Sequence, residues 1–401
     1  MKRNIFCGVL GVLLVCGFIL VGSSVPASAA EPAPETIKIG GMISLTGPDA
    51  AIGAPAKLGY EVALEEINKG GGVMVKAYNK KIPLELVLMD METNAEKSIA
   101  RAETLHSRKV SAAVGTTIVG ASAEIFEKNK LPVLAILNSI SAITDRGLKY
   151  FFVVGGSSRH IGQTVFDALA TPTAIKSTKW AIFREQGEFV SEFFDSAREI
   201  AAKKGITITY EGSYAMRTPD LSALITGAKN SGAEVLLSYP TPPDAVTMLK
   251  QMAQLGFKPK AILMLRAADD PSWARLGILG DYVIACPDWH SAFNHPGVKE
   301  LNDMVKAKTG KTTDPTTGAA YNSVKIVAAA IEKAGSLDRT AIRDAIAGTD
   351  MMTVEGHVKF GPNKTRVNVV RPVVQWQNGV MEVVWPDNQK TKPLVYPIPS
   401  K

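Results

Sequence analysis

Residues 38–72 read KIGGMISLTGPDAAIGAPAKLGYEVALEEINKGGG. Ile37, Ile39, Met42 and Leu45 make an apolar run, bounded by the turn residues Thr46-Gly47-Pro48-Asp49. Tyr60, Ala63, Leu64 and Ile67 then recur at helical spacing, which predicts a helix over residues 55–68. Pro55 would sit in its first turn, where a missing N–H is harmless. Gly70, Gly71 and Gly72 stop it, since glycine accepts the left-handed conformation that closes a helix. Strand, turn and helix in this order form the opening unit of a parallel α/β sheet.

The same rhythm continues outward. PLELVLMD (83–90), SAAVG (111–115), PVLAIL (132–137), YFFVV (150–154), KWAIF (179–183), ITITYEG (206–212), EVLLS (234–238), AILML (261–265) and DYVIA (281–285) read as strands separated by helical segments. Alternation with short links predicts parallel sheets covered on both faces. About ten strands before residue 286 fit two sheets of about five better than one. After residue 295 three helical segments follow in succession, and the tail ends in two strands around Asn378-Gly379, a hairpin turn pair.

The chain has 401 residues, 46% hydrophobic and 21% charged, with a net charge of +7. That is a globular composition with room for two cores. The Lys and Arg residues are dispersed, which argues against a nucleic-acid surface. Residues 1–30 carry Lys2 and Arg3, an apolar run and an Ala27-Ser28-Ala29 ending. They read as a secretory signal peptide cleaved near Ala29. Cys16 follows Val15, where a lipoprotein signal needs a small residue. Only Cys286 would survive cleavage, so the mature chain can form no internal disulfide, and its setting predicts a buried thiol.

Catalytic patterns are missing. Gly115 and Gly120 have phosphate-loop spacing, but Ala121 stands where the lysine is needed. No G-x-G-x-x-G, H-E-x-x-H or G-x-S-x-G occurs in a suitable setting. His290 and His295 lack a third ligand nearby. Asp269-Asp270 precedes Pro271 and reads as helix capping. No enzyme, cofactor or metal is expected. What remains is a set of hydroxyl and amide loops at strand ends: TGPDAAIG (46–53), Thr116-Thr117, and Asn138-Ser139. In parallel α/β sheets ligands sit outside the carboxyl ends of the strands, where free backbone N–H groups suit a carboxylate.

With those residues in view, the chain resembles the periplasmic substrate-binding proteins of branched-chain amino acid ABC transporters. The likeness runs through the mature chain in ordered cues. They are the LTGP…G…G…A…EIN…GG opening, Asp90 at a strand end, AAVG before a small-residue helix start, LPVLAI, TDRG, AAYNSVKIVAAAIEKAGS and the late GHVKFG. The resemblance implies a type I periplasmic binding protein fold. It has two Rossmann-like lobes joined by three crossovers and closing on a ligand like a hinge. The crossovers would fall near VVGGSS (153–158), IACPD (284–288) and VEGHVKF (354–360). One lobe would take residues 37–155 and 287–350, the other 156–286 and 351–401.

It further implies an extracytoplasmic monomer that binds a small amino acid or carboxylate and delivers it to membrane permease subunits. Lobe one would hold the ligand carboxylate at Thr116, Thr117, Val119 and Gly120, and at Asn138 and Ser139, with Ile52 against the ligand side chain. Lobe two would contribute Phe189 and Tyr239 or Thr241. The family places an acidic residue after the strand AILML to pair with an ammonium, and this chain has Arg266 there. Either Asp269 or Glu185 takes that role, or the ligand is a different anion, such as a dicarboxylate or aromatic carboxylate. A ligand sensor of the same fold is the alternative to a transport component.

Overall fold

The computed structural model describes residues 32–137 and 140–399. The expected signal peptide and the Asn138-Ser139 pair lie outside the described residues.

The first half builds one parallel sheet. Its elements are β1 (Ile37–Ile43), α1 (Ala50–Lys69), the short hairpin β2 (Val73–Val75) and β3 (Lys80–Ile82), β4 (Leu84–Asp90), α2 (Ala95–Ser107), β5 (Ala112–Gly115), α3 (Ala123–Lys128), β6 (Val133–Ala135), α4 (Ser141–Thr144) and β7 (Phe151–Val153). The strand order is β4-β1-β5-β6-β7 and every neighbour pair is parallel. Asn94 caps α2, its Oδ1 accepting the Lys97 N–H at 2.9 Å. The helix α1 starts five residues before the sequence places it, so Pro55 lies inside it rather than at its first position.

A second unit follows. It comprises α5 (Ser158–Leu169), β8 (Lys179–Glu185), α6 (Glu188–Lys203), β9 (Thr207–Tyr214), α7 (Ser222–Asn230), β10 (Val235–Ser238), α8 (Pro242–Leu255), β11 (Ala261–Met264) and β12 (Val283–Ala285). The chain then makes α9 (Val298–Thr309), α10 (Pro315–Ala334), α11 (Arg339–Ala347), the hairpin β13 (Asp350–Thr353) and β14 (Gly356–Lys359), and finally β15 (Val373–Gln377) and β16 (Val380–Trp385). The second sheet has seven strands in the order β16-β15-β12-β11-β10-β8-β9. The tail strands join it antiparallel, β15 on β12 and β16 on β15. Asn378 and Gly379 both take positive φ, 53° and 74°, as a tight two-residue hairpin requires.

The three late helices return to the first sheet. α10 lies on α1 so closely that a Cβ on Gly59 would sit 2.4 Å from the Thr317 carbonyl oxygen. Thr317 Oγ1 donates to the Pro55 carbonyl at 3.1 Å. In α11, Arg339 donates to the Val110 carbonyl at 2.9 Å and Thr340 meets the Tyr150 hydroxyl at 2.9 Å. Each lobe has its own apolar core. Trp180, Phe166, Phe193 and Phe194 centre the second, and Phe126, Met42 and Leu105 the first.

Three segments pass between the lobes: residues 154–157, 286–297 and 360–372. The third differs from the sequence reading. Residues 354–360 form the turn and second strand of a hairpin, closed by Thr353 Oγ1 on the Gly356 carbonyl at 2.8 Å, and the passage comes after it. That passage runs beside the first one, with Val153 N–H on the Lys364 carbonyl at 3.0 Å and Arg366 N–H on the Val153 carbonyl at 2.9 Å. Two buried arginines tie the passages to backbone. Arg366 donates to the carbonyls of Glu355 (2.8 Å) and His357 (2.9 Å), and Arg371 donates to the Cys286 carbonyl (2.8 Å) while pairing with Asp288.

Candidate functional site

Both sheets are doubly wound, and each reverses direction once, between β1 and β5 in the first and between β8 and β10 in the second. Loops leaving the carboxyl ends of the strands diverge at such a reversal and leave a crevice between them. Glu185 ends β8 and Thr241 follows β10, so the two straddle the reversal in the second lobe.

They are bonded to each other. Glu185 is 1% exposed, and one carboxylate oxygen accepts the Thr241 backbone N–H at 2.9 Å. The other accepts Arg266 Nη2 at 2.6 Å. Burial of a carboxylate is tolerated when it is paired and hydrogen-bonded, and both conditions hold here. Arg266 follows β11; its Nε donates to the Pro240 carbonyl at 3.2 Å, and its guanidinium lies 5.6 Å from the Tyr239 ring centre. Tyr239 is packed on Phe189 (5.6 Å between ring centres) and Phe193 (5.3 Å), an aromatic wall behind the ion pair. Thr241 Oγ1 bonds Asp244 at 2.6 Å, which fixes the first turn of α8.

Asp269 and Asp270 behave differently from each other. Asp270 caps the following 3-10 turn, accepting the Ser272 N–H at 2.6 Å, as its sequence setting predicts. Asp269 has a buried Oδ1 without a partner among the described residues, and burial pushes its carboxyl well above the usual range, with Arg371 opposing and Asp288 adding to the shift. Cys286 is buried, and burial pushes its thiol up to about 12. His290 and His295 each contact a backbone carbonyl, Met381 at 3.1 Å and Val354 at 3.2 Å. No metal-ligand cluster occurs among the described residues.

The first lobe presents a different surface. Asp90, at the end of β4, accepts the N–H groups of Leu45 and Glu92, both at 2.9 Å, and the Thr46 hydroxyl at 2.9 Å. Burial alone would raise this carboxyl, but those donors hold it below the usual range. The loop after β1 is therefore fixed, and Ile52 stands half-buried in the first turn of α1. After β5 the chain enters a 3-10 turn over Thr117–Ser122. Thr116 is 2% exposed, with its N–H on the Met42 carbonyl at 2.9 Å. Val119 turns into the core, at 1% exposure, and its N–H donates to the Thr116 carbonyl at 3.2 Å.

The lobes touch through groups that carry no sequence motif. Glu192, on α6 of the second lobe, accepts the Ser141 backbone N–H at 2.8 Å and its hydroxyl at 3.0 Å, on α4 of the first. It also accepts the Ser158 hydroxyl at 2.5 Å, at the start of α5. Asp314 caps α10, accepting the Thr316 N–H at 2.7 Å. Burial pushes its carboxyl up to about 6; the Thr316 N–H opposes this, and the charge of Asp270 in the second lobe adds to it. No periodicity or spacing singles out Glu192, because its partners are remote in sequence, whereas Asp314 is a local N-cap before Pro315.

Two doubly wound lobes, joined by three passages and meeting at Glu192 and Ser141, have the architecture of a bilobal binding protein. The chain belongs to the periplasmic binding protein family, whose model matches residues 36–380. Members of that family are solute-binding proteins rather than enzymes, and the family implies an extracytoplasmic location. The chain is 28% identical to the Leu/Ile/Val-binding protein homolog 7 of Brucella suis biovar 1 (strain 1330) over 394 residues, covering 92% of this chain and 96% of the relative. Its fold is similar to that of the leucine binding protein LivK from Thermotoga maritima, with a TM-score of 0.75 at 22% identity, covering 87% of this chain and 97% of that one. It is also similar to the branched-chain amino acid substrate-binding protein LivJ from Streptococcus pneumoniae in complex with isoleucine. That match has a TM-score of 0.76 at 20% identity and covers 90% of this chain and 100% of that one.

Proposed function

We propose that this chain is the extracytoplasmic solute-binding component of an ABC importer. It binds one small amino acid or related carboxylate between its lobes, performs no chemistry on it, and docks as a monomer on membrane permease subunits. The lobes divide at the three passages, so that the first takes residues 37–153 and 298–359 and the second takes 158–285 and 373–399. Residues 1–30 act as the signal peptide, cleaved near Ala29. The observation that carries the reading is the pairing of two strand-end surfaces. The Glu185–Arg266–Tyr239 wall of one lobe and the Thr116–Gly120 opening of the other belong to lobes that meet at Glu192 and Ser141. In this reading the ligand carboxylate takes backbone N–H groups at Thr117, Gly120 and the Asn138-Ser139 loop, Ile52 and Phe189 border the ligand, and Asp269 lies at the far end.

The test is a thermal shift on refolded, ligand-free mature protein against leucine-type amino acids, polar amino acids, dicarboxylates and aromatic carboxylates. A true ligand at about a thousand times its dissociation constant adds about 4 kcal/mol of stability. It should also be recovered unchanged by mass spectrometry after incubation. Turnover, or silence across the panel, would contradict the proposal.

A further inference from the structure

We infer that Arg266 receives a carboxylate on the second-lobe side of the cleft, with Glu185 as its positioning residue, so that the ligand carries an anionic group at each end. The inference rests on the solute-binding reading above and narrows the ligand class.

An ammonium needs an acceptor it can reach, and Glu185 is buried behind the two donors it already holds. Its two oxygens are committed to Arg266 at 2.6 Å and to the Thr241 N–H at 2.9 Å, at 1% exposure. Placing an ammonium beside it would set that cation against the guanidinium and leave one of the two unpaired.

Arg266 has the opposite character. Its Nη2 is held by Glu185, its Nε by the Pro240 carbonyl at 3.2 Å, and its plane by the Tyr239 face. Its Nη1 has no protein partner among the described residues, and the side chain is 35% exposed. A guanidinium fixed at three points with one donor nitrogen open is pre-organised for a carboxylate, since little rotamer freedom remains to be lost on binding. The opposite end of such a ligand meets the backbone N–H groups of the first lobe. A linear dicarboxylate satisfies both ends at once.

The experiment is calorimetric titration of ligand-free protein with succinate, glutarate, adipate, leucine and 4-methylpentanoate, the last being leucine without its amine. The expected result is that one dicarboxylate binds at least tenfold more tightly than leucine. Removing Arg266 alone strands a buried carboxylate, so the informative variant is the neutral pair Glu185→Gln with Arg266→Gln. It should lower the ratio of dicarboxylate to 4-methylpentanoate affinity by about 10- to 100-fold, the range for one charge-assisted hydrogen-bonding contact. Arg266→Lys should recover part of that ratio. Leucine binding most tightly, with a ratio unmoved in the double variant, would overturn this inference and leave the solute-binding reading standing. Absence of binding by any small molecule in the wider thermal panel would overturn both.

Discussion

The two walls of the cleft are made of different materials. The first-lobe wall is backbone: a 3-10 turn over Thr117–Ser122 and a β1–α1 loop tied down by Asp90. The second-lobe wall is side chain: a buried carboxylate, a guanidinium and a cluster of aromatic rings. Backbone N–H groups recognise an anion without selecting among ligands, because every chain carries them. Side chains select, because Glu185 and Arg266 fix which charge can face them. On the proposed reading, this difference places general affinity in the first lobe and specificity in the second.

The contrast can be broken most severely at Glu185. Glu185→Ala removes the partner of Arg266 and the acceptor of the Thr241 N–H, and should cost about 2–3 kcal/mol, the range for lost hydrogen bonds to a charged group, since the partly exposed Arg266 can be solvated. Denaturant titration followed by tryptophan fluorescence measures it, and the neutral double variant should cost much less. The first-lobe wall is vulnerable instead at its backbone. A Cβ on Gly53 would stand 1.8 Å from the Ser44 carbonyl oxygen. Gly53→Ala must displace α1 from that loop, and should cost about 3 kcal/mol, near the upper end for overpacking. The same titration should show lost stability without any change in the dicarboxylate-to-monocarboxylate preference.

The contact between the walls is the next lever. Glu192→Ala removes three hydrogen bonds, two of which join the lobes. The closed form should lose about 1–3 kcal/mol relative to the open one. Ligand affinity should fall about 10- to 100-fold while the melting temperature of ligand-free protein moves little; titration calorimetry and a melt separate the two.

The smallest effect concerns pH. Asp314 has an ordinary value of 3.8 and is pushed up to about 6 in the folded chain. A carboxyl raised on folding contributes stability below its unfolded value and loses it as pH rises through the folded one. The contribution of Asp314 should therefore decline between about pH 4 and pH 6, and Asp314→Asn should remove it, raising stability near pH 6 relative to pH 4 in a melting series.

The sequence made the architecture readable because its signals are local. Apolar runs, capping residues such as Asn94, and Asn378-Gly379 act over a few residues, and they led to two parallel sheets and a hairpin tail. Where a signal was local but incomplete, the reading slipped. Pro55 suggested a helix start, yet α1 begins at Ala50 and carries the proline in its second turn. The hairpin of β2 and β3 escaped because three-residue strands have no measurable period.

The site was readable only in part. Glu185, Phe189, Tyr239, Thr241 and Arg266 could be named because they stand at strand ends, and the structure gathers them. Val119 also stands near a strand end but turns into the core, which residue type alone does not decide. Glu192, Ser141, Arg366 and Arg371 were invisible, since each acts on a partner brought close only by the fold.

The central claim is that a small molecule closes these lobes upon one another. Small-angle X-ray scattering of ligand-free protein, before and after saturation with the ligand found in the thermal panel, tests it directly. The account predicts a smaller radius of gyration with ligand at unchanged mass, and a weaker contraction in Glu192→Ala. An identical scattering profile with and without a saturating ligand, starting from protein proven ligand-free, would contradict it.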